Sequence, residues 1–172
     1  MTIHTGDPFA DPPERRSLAR RLRGRLPSAV TLWTALDPER GPAGLTVSST
    51  VVIDGAPGRL LGVIDPESSL WEAAERSGRF TVAPLRVGDG RVADIFAGLM
   101  PAPGGPFSQY EWRTTEYGPV LPALTTWAGC LVVEARPIGW GPVLVEAILE
   151  EVQIAENNEN SALVTYRGRY QV

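Results

Sequence analysis

The sequence predicts a mainly β protein with two or three short helices, its strands curled into a closed barrel. Three observations point there. β-branched and apolar runs recur between turns marked by Gly and Pro. Two of the runs, Leu124 to Arg136 and Val143 to Ile154, are long enough to curve, and closure removes the edges that long strands would otherwise expose. Helical periodicity is confined to short stretches.

Taken in order, residues 1–14 read as a flexible leader, rich in proline and without an apolar period, and residues 15–172 as a single domain. Arg15 to Leu26 carries Leu18, Leu22 and Leu26 on one helical face, and Pro27 stops it. Ser28 to Leu36 is a strand, Asp37 to Pro42 a turn, and Ala43 to Ile53 a second strand. After the Asp54 to Gly58 turn, Arg59 to Asp65 is a buried third strand. Ser69 and Glu72 have capping-box spacing ahead of a helix running to Ser77, with Gly78 as its stop. Phe80 to Leu85 is a strand and Gly90 to Ala97 a short helix. Leu99 to Gln109, rich in Pro and Gly, is a long loop. The two long strands follow, then an Asn157–Asn160 turn and a last strand from Ala162 to Tyr170.

Composition removes several kinds of chemistry. A chain of 172 residues favours one domain with a sizeable core. A net charge of −4 argues against nucleic acid as the main partner. The arginines at 15, 16, 20, 21, 23 and 25 read as a solvated helix face. Cys130, alone and inside an apolar run, reads as a buried structural thiol and fits a reducing compartment. The only histidine is His4, in the leader, so a metal site, a Ser-His-Asp triad and a Cys-His dyad all lack their parts. No stretch is apolar enough to span a membrane, and the chain reads as cytoplasmic.

Two hydroxyl clusters remain. In Gly44-Leu-Thr-Val-Ser-Ser-Thr50, strand alternation sets Thr46, Ser48 and Thr50 on one face and Val47 and Ser49 on the other. Such a row can line a polar groove; it is equally a solvated strand face, because Thr is a good β former. Asp65-Pro-Glu-Ser-Ser69 directly precedes a helix, where free N–H groups and the helix dipole favour an anion, with Ser68 and Ser69 adding donors. A serine that merely caps the helix accounts for the same pattern.

The order of the motifs resembles the flavin reductase-like, FMN-binding split β-barrel family, from about Leu26 to Tyr170. Leu26-Pro-Ser-Ala-Val30 is similar to the family's opening turn, and Gly44-Leu-Thr-Val-Ser-Ser49 to its flavin-contacting strand. Ser68 and Ser69, with Ser77-Gly-Arg-Phe80 downstream, resemble its phosphate turn and following helix. Ala93-Asp-Ile-Phe96, Pro119-Val-Leu-Pro122 and Leu163 to Tyr170 resemble its short helix, its turn before the long strands and its closing strand. The resemblance implies a Greek-key split barrel that binds FMN, with FAD or a deazaflavin as alternatives. Thr46, Ser48 and Ser49 would then contact the ring edge and ribityl chain, and Ser68 and Ser69 would hold the phosphate, with Val47, Thr50 and Asp65 counted among the cofactor-binding residues. It also implies hydride transfer from NAD(P)H to flavin, a homodimer and a monooxygenase partner. That reaction needs aligned rings more than a side-chain acid or base, so no catalytic residue is assigned.

Departures from the family pattern set an alternative beside this reading. The family's Gly-Asp-His segment is Gly139-Trp-Gly141 here, a later Gly is Glu146, and the common Asn is Ala83. A non-catalytic flavin-binding protein of the same fold fits these changes, as does a deazaflavin-dependent oxidoreductase. Trp140 and Trp112 are candidates for a pocket wall, with surface or dimer packing as the alternative; Trp71 and Trp127 read as core.

Overall fold

Turn residues divide the chain into short elements, and one long sheet then curls back on itself. The computed structural model describes residues 17–139, 141–155 and 161–171. In chain order these form α1 (Leu18–Arg23), β1 (Ser28–Ala29), β2 (Thr31–Asp37), β3 (Gly41–Val47), β4 (Val51–Ile53), β5 (Arg59–Ile64) and α2 (Ser69–Ser77). They continue with β6 (Arg79–Pro84), α3 (Gly90–Phe96), a 3-10 turn at Pro106–Gln109, β7 (Arg113–Thr114) and β8 (Pro119–Val120). Four strands complete the order: β9 (Trp127–Pro137), β10 (Val143–Gln153), β11 (Val164–Tyr166) and β12 (Arg169–Gln171).

The principal sheet has seven antiparallel strands in the order β3-β2-β6-β9-β10-β5-β4. Its long members behave as their length suggested. β9 and β10 pair from Val143–Pro137 to Gln153–Trp127, with register breaks near Glu146 and Leu149 that let the pair bend. The sheet closes through a side chain: the Ser49 hydroxyl donates to the Val63 carbonyl at 2.6 Å and accepts from the Val63 N–H at 3.2 Å. The split of the barrel therefore lies between the end of β3 and β5. The expected mainly β split barrel with three helices is the architecture found.

The interior is built around Trp33, stacked on Phe80 with ring centroids 4.6 Å apart. Inward-facing Leu60, Ile64, Val82, Val145 and Ala147 surround it, and α2 adds Leu70, Trp71, Ala73 and Ala74. Gly62 is required here, because a Cβ at that position would lie 2.3 Å from the Trp33 ring. Cys130 is fully buried in the same cluster, and desolvation pushes its thiol up to about 12. Trp71 and Trp127 are both buried, as expected. A second cluster on the outer face of β2 and β6 gathers Leu32, Ala83, Leu85, Ile95, Phe96 and Trp127 under α3 and the 99–112 loop.

Several expected elements differ. The single strand expected from Ala43 to Ile53 is two, because the chain bends at Ser48 so that Thr50 can enter the interior. The last strand is a hairpin, turned by Arg167 and Gly168 at φ of 53° and 73°. The cap of α2 is Ser68, one residue before the expected Ser69: its hydroxyl accepts from the Trp71 N–H at 3.2 Å. Glu72 instead pairs with Arg40 at 2.8 Å. The leucines expected on one helical face are not buried: Leu18 and Leu22 of α1 are 78% and 61% exposed, and Leu26, which lies beyond the end of α1, is 57% exposed. The leader with His4, Trp140 and the 157–160 turn lie outside the described residues.

Candidate functional site

The bend at Ser48 lies in the wall of a cavity. A cleft of about 600 Å³ lies in the split between β3 and β5, within the range of small-molecule sites. Leu45 to Ser49 form one wall and Val63 to Glu67 the other, with Arg23, Gly141 and Pro142 completing the rim. Two hydroxyl-rich segments distant in sequence are thus adjacent in space, because Ser49 and Val63 bond directly.

The individual side chains divide by partner. The Thr46 hydroxyl donates to the Ala93 carbonyl at 2.8 Å and ties β3 to α3. Val47 is buried, and its carbonyl accepts from the Thr31 hydroxyl at 2.7 Å. Thr50 points inward, shares a hydrogen bond with Thr31 at 2.9 Å and accepts from the Trp33 indole N–H at 3.2 Å. The expected single face of Thr46, Ser48 and Thr50 does not form, since strand geometry ends at Val47. Ser48 alone of this group has a hydroxyl with no partner among the described residues, and it faces the cleft.

The second segment is a tight turn in which the Glu67 and Ser68 donors are engaged internally. The Glu67 N–H bonds the Asp65 carboxylate at 2.9 Å, and the Ser68 N–H bonds the Asp65 carbonyl at 3.1 Å. The Ser68 hydroxyl donates to that carbonyl at 2.7 Å while capping α2. Asp65 lines the cleft; Ser68, Ser69 and Thr50 do not. Trp112 is also elsewhere. It packs on Phe96 and Phe107, its indole N–H bonding the Phe107 carbonyl at 2.9 Å. Gly44 makes room for that aromatic group, since a Cβ there would sit 2.7 Å from the Phe96 ring.

Of the departures noted in the sequence, Gly141 lines the cleft and Glu146 pairs with Arg59 at 2.7 Å across β10 and β5. Ala83 is buried in the outer cluster. Sequence reasoning missed Arg23, Leu45, Val63, Ile64, Pro66, Glu67 and Pro142 as cleft residues. Position next to Asp65 was a signal for four of them; Arg23 carried none, because it sits in a basic run on an exposed helix. Among the described residues no group of His, Cys, Asp and Glu is arranged to hold a metal ion.

The cleft combines apolar and polar lining. It has an apolar flank in Leu45 and Val63, a free hydroxyl and strand-end backbone at Ser48, and a guanidinium at Arg23. Comparison with known proteins agrees with this chemistry. The family model for the flavin reductase like domain matches residues 23–172. Over 152 residues the chain is 28% identical to a flavin reductase of Pseudomonas putida, covering 88% of this chain and 86% of that protein. It is 32% identical over 152 residues to FMN reductase (NADH) RutF 1 of Methylorubrum extorquens strain PA1, covering 88% and 73%. The crystal structure of a nitrilotriacetate monooxygenase component B homolog from Mycobacterium thermoresistibile superposes with a TM-score of 0.77 at 26% identity, covering 89% of this chain and 83% of that one.

Proposed function

The chain belongs to the flavin reductase like domain family, and from that premise we propose that it is an NAD(P)H-dependent flavin reductase acting at the cleft between β3 and β5. The observation that carries the proposal is the unpartnered Ser48 hydroxyl facing a cleft of flavin size. FMN is the flavin favoured, in line with the relatives named as FMN reductases, and FAD is the alternative. When bound, the flavin supplies the acceptor for the hydride of NAD(P)H. The residues of this chain position it: Ser48 offers a hydroxyl, and Leu45 and Val63 offer apolar flanks. The Asp65 turn fixes the opposite wall. Alignment of this kind is the main catalytic contribution when the reacting groups need no side-chain acid or base.

The test is NADH and NADPH oxidation followed at 340 nm with free FMN as acceptor. Steady turnover is expected with at least one nucleotide; flavin binding without turnover would instead favour the non-catalytic reading. That second reading draws on Gly141, which brings no side chain to the rim of the cleft.

Two assembly features belong to the same proposal. Exposed apolar side chains suited to a homodimer occur at two places, Leu18, Leu22 and Leu26 in and just after α1, and Val51, Val52 and Ile53 of edge strand β4. Sedimentation at micromolar concentration should return twice the chain mass. The structural relative named as a component of a monooxygenase supports transfer of reduced flavin to a separate monooxygenase. Among the described residues no helix is long and apolar enough to cross a membrane. A free buried thiol at Cys130 fits the proposed cytoplasmic setting.

A further inference from the structure

Among the described residues the cleft is lined by few charged side chains. Asp65 and Glu67 line it, and Arg23 is the only cation that does so among the described residues. In the turn before α2 the Glu67, Ser68 and Trp71 N–H groups and the Ser68 hydroxyl are held internally, and Ser69 does not line the cleft. A phosphate ester entering this cleft therefore needs a positive group from outside that turn. The Arg23 guanidinium has no hydrogen-bond or ion-pair partner among the described residues, although several other arginines of the fold, including Arg40, Arg59, Arg76 and Arg79, are paired.

Its position is fixed by a contact far away in sequence. α1 ends at Gly24, whose carbonyl accepts the Arg167 N–H at 2.6 Å. Arg167 sits in the β11–β12 turn at φ 53°, the only non-glycine residue at positive φ among the described residues. The hairpin thus holds the C-terminal end of α1 at the rim, and Arg23 leaves the helix facing the cleft.

We infer that Arg23 is the phosphate-binding residue of the cleft, pairing with the terminal phosphate of FMN and thereby selecting FMN over riboflavin. The inference rests on the flavin reading of the same cleft. A guanidinium matches two phosphate oxygens at once, which a hydroxyl cannot. Because Arg23 is exposed, solvent and salt discount the interaction, and its worth falls toward the lower end for charge-assisted pairs.

The test measures quenching of FMN and of riboflavin fluorescence by the wild-type chain and by R23A, R23K and R23E, with KM for NADH measured alongside. R23A should weaken FMN about five- to tenfold and leave riboflavin unchanged. R23K should fall between, and R23E should be weakest for FMN. The FMN preference of the wild type should shrink as salt rises, whereas that of R23A should stay flat. An FMN-to-riboflavin ratio equal in wild type and R23A would overturn the inference. So would a ratio left unchanged while KM for NADH rises, which would assign Arg23 to the phosphates of the nicotinamide dinucleotide. If the wild type binds neither flavin and oxidises no NADH, it is the flavin reductase proposal that fails.

Discussion

The barrel interior and the cleft share a wall, yet they treat polar groups in opposite ways. Inside, Thr31, Trp33 and Thr50 form a closed set in which each polar atom has a partner at 2.7 to 3.2 Å. Among the described residues no buried side-chain polar atom lacks one. On the other side of the same bend, Ser48 and Arg23 have none. Burial explains the first pattern, since an unmet polar group inside costs about 1–3 kcal/mol. Solvent at the cleft allows the second, and a ligand that replaces that solvent finds donors already in place. Partnering, rather than residue type, separates the structural hydroxyls from the available ones.

The hardest break of the interior is Gly62→Ala. The added methyl group would lie 2.3 Å from the Trp33 ring, which is itself stacked on Phe80. A loss of about 3 kcal/mol is expected, read from the midpoint of urea unfolding. A normal midpoint would show that Trp33 can move aside and that the interior is less closely packed than the comparison requires.

Ser49 stands on the boundary between the two regions. Ser49→Ala removes both bonds to Val63 and leaves a backbone donor and acceptor of β5 to find other partners. About 2 kcal/mol of stability should go, because this side chain makes both of the hydrogen bonds that join the end of β3 to β5 at Val63. Flavin affinity should fall too, for FMN and riboflavin alike, as the two cleft walls separate. Ser68→Ala should be milder, about 1 kcal/mol for a lost helix cap. Its two flavin affinities should remain in the wild-type ratio; a selective loss of FMN would return the phosphate contact to Ser68.

These residues also mark how far the sequence could be read. Thr46 to Ser49 and Asp65 were expected near the ligand, and all of them line the cleft, because strand ends and helix starts are local signals. Which hydroxyls are free was not readable, because the partners are remote: Ala93 for Thr46, Val63 for Ser49, Trp33 for Thr50. The same holds for Arg23, which reaches the rim through a hairpin at the far end of the chain. The split of the last strand turned on Arg167, a non-glycine residue in a conformation that local propensity disfavours.

Asp37 tests the interior pattern by pH. Its buried carboxylate accepts N–H bonds from Glu39 and Arg40, at 2.8 and 3.0 Å, and pairs with Arg76. The Glu39 bond, followed by the other two partners and against some desolvation, holds its pKa below the ordinary 3.8. A lowered folded pKa means stability that is present above the unfolded value and lost as pH falls through the folded one. Asp37→Asn should therefore be less stable than wild type at neutral pH, with the gap closing in acid below 3.8. Denaturant midpoints across pH 2 to 7, roughly the span in which carboxylates titrate, would measure it. A gap of constant size would mean that the amide loses packing rather than charge.

The smallest structural effect belongs to Ser48→Ala, and that is its value. Its hydroxyl has no hydrogen-bond partner among the described residues, so the unfolding midpoint should stay within about 0.5 kcal/mol of wild type. Flavin binding should nevertheless weaken by about threefold, the share of one neutral hydrogen bond, and FMN and riboflavin should lose equally. The contrast with its neighbour is then direct: Ser49→Ala unsettles the barrel and the ligand together, Ser48→Ala the ligand alone. If Ser48→Ala lowers stability as Ser49→Ala does, the hydroxyl has a partner in solution and the cleft loses its one unengaged serine. If it changes neither property, the flavin is held by the backbone at the bend, and the side chain at position 48 matters only for being small.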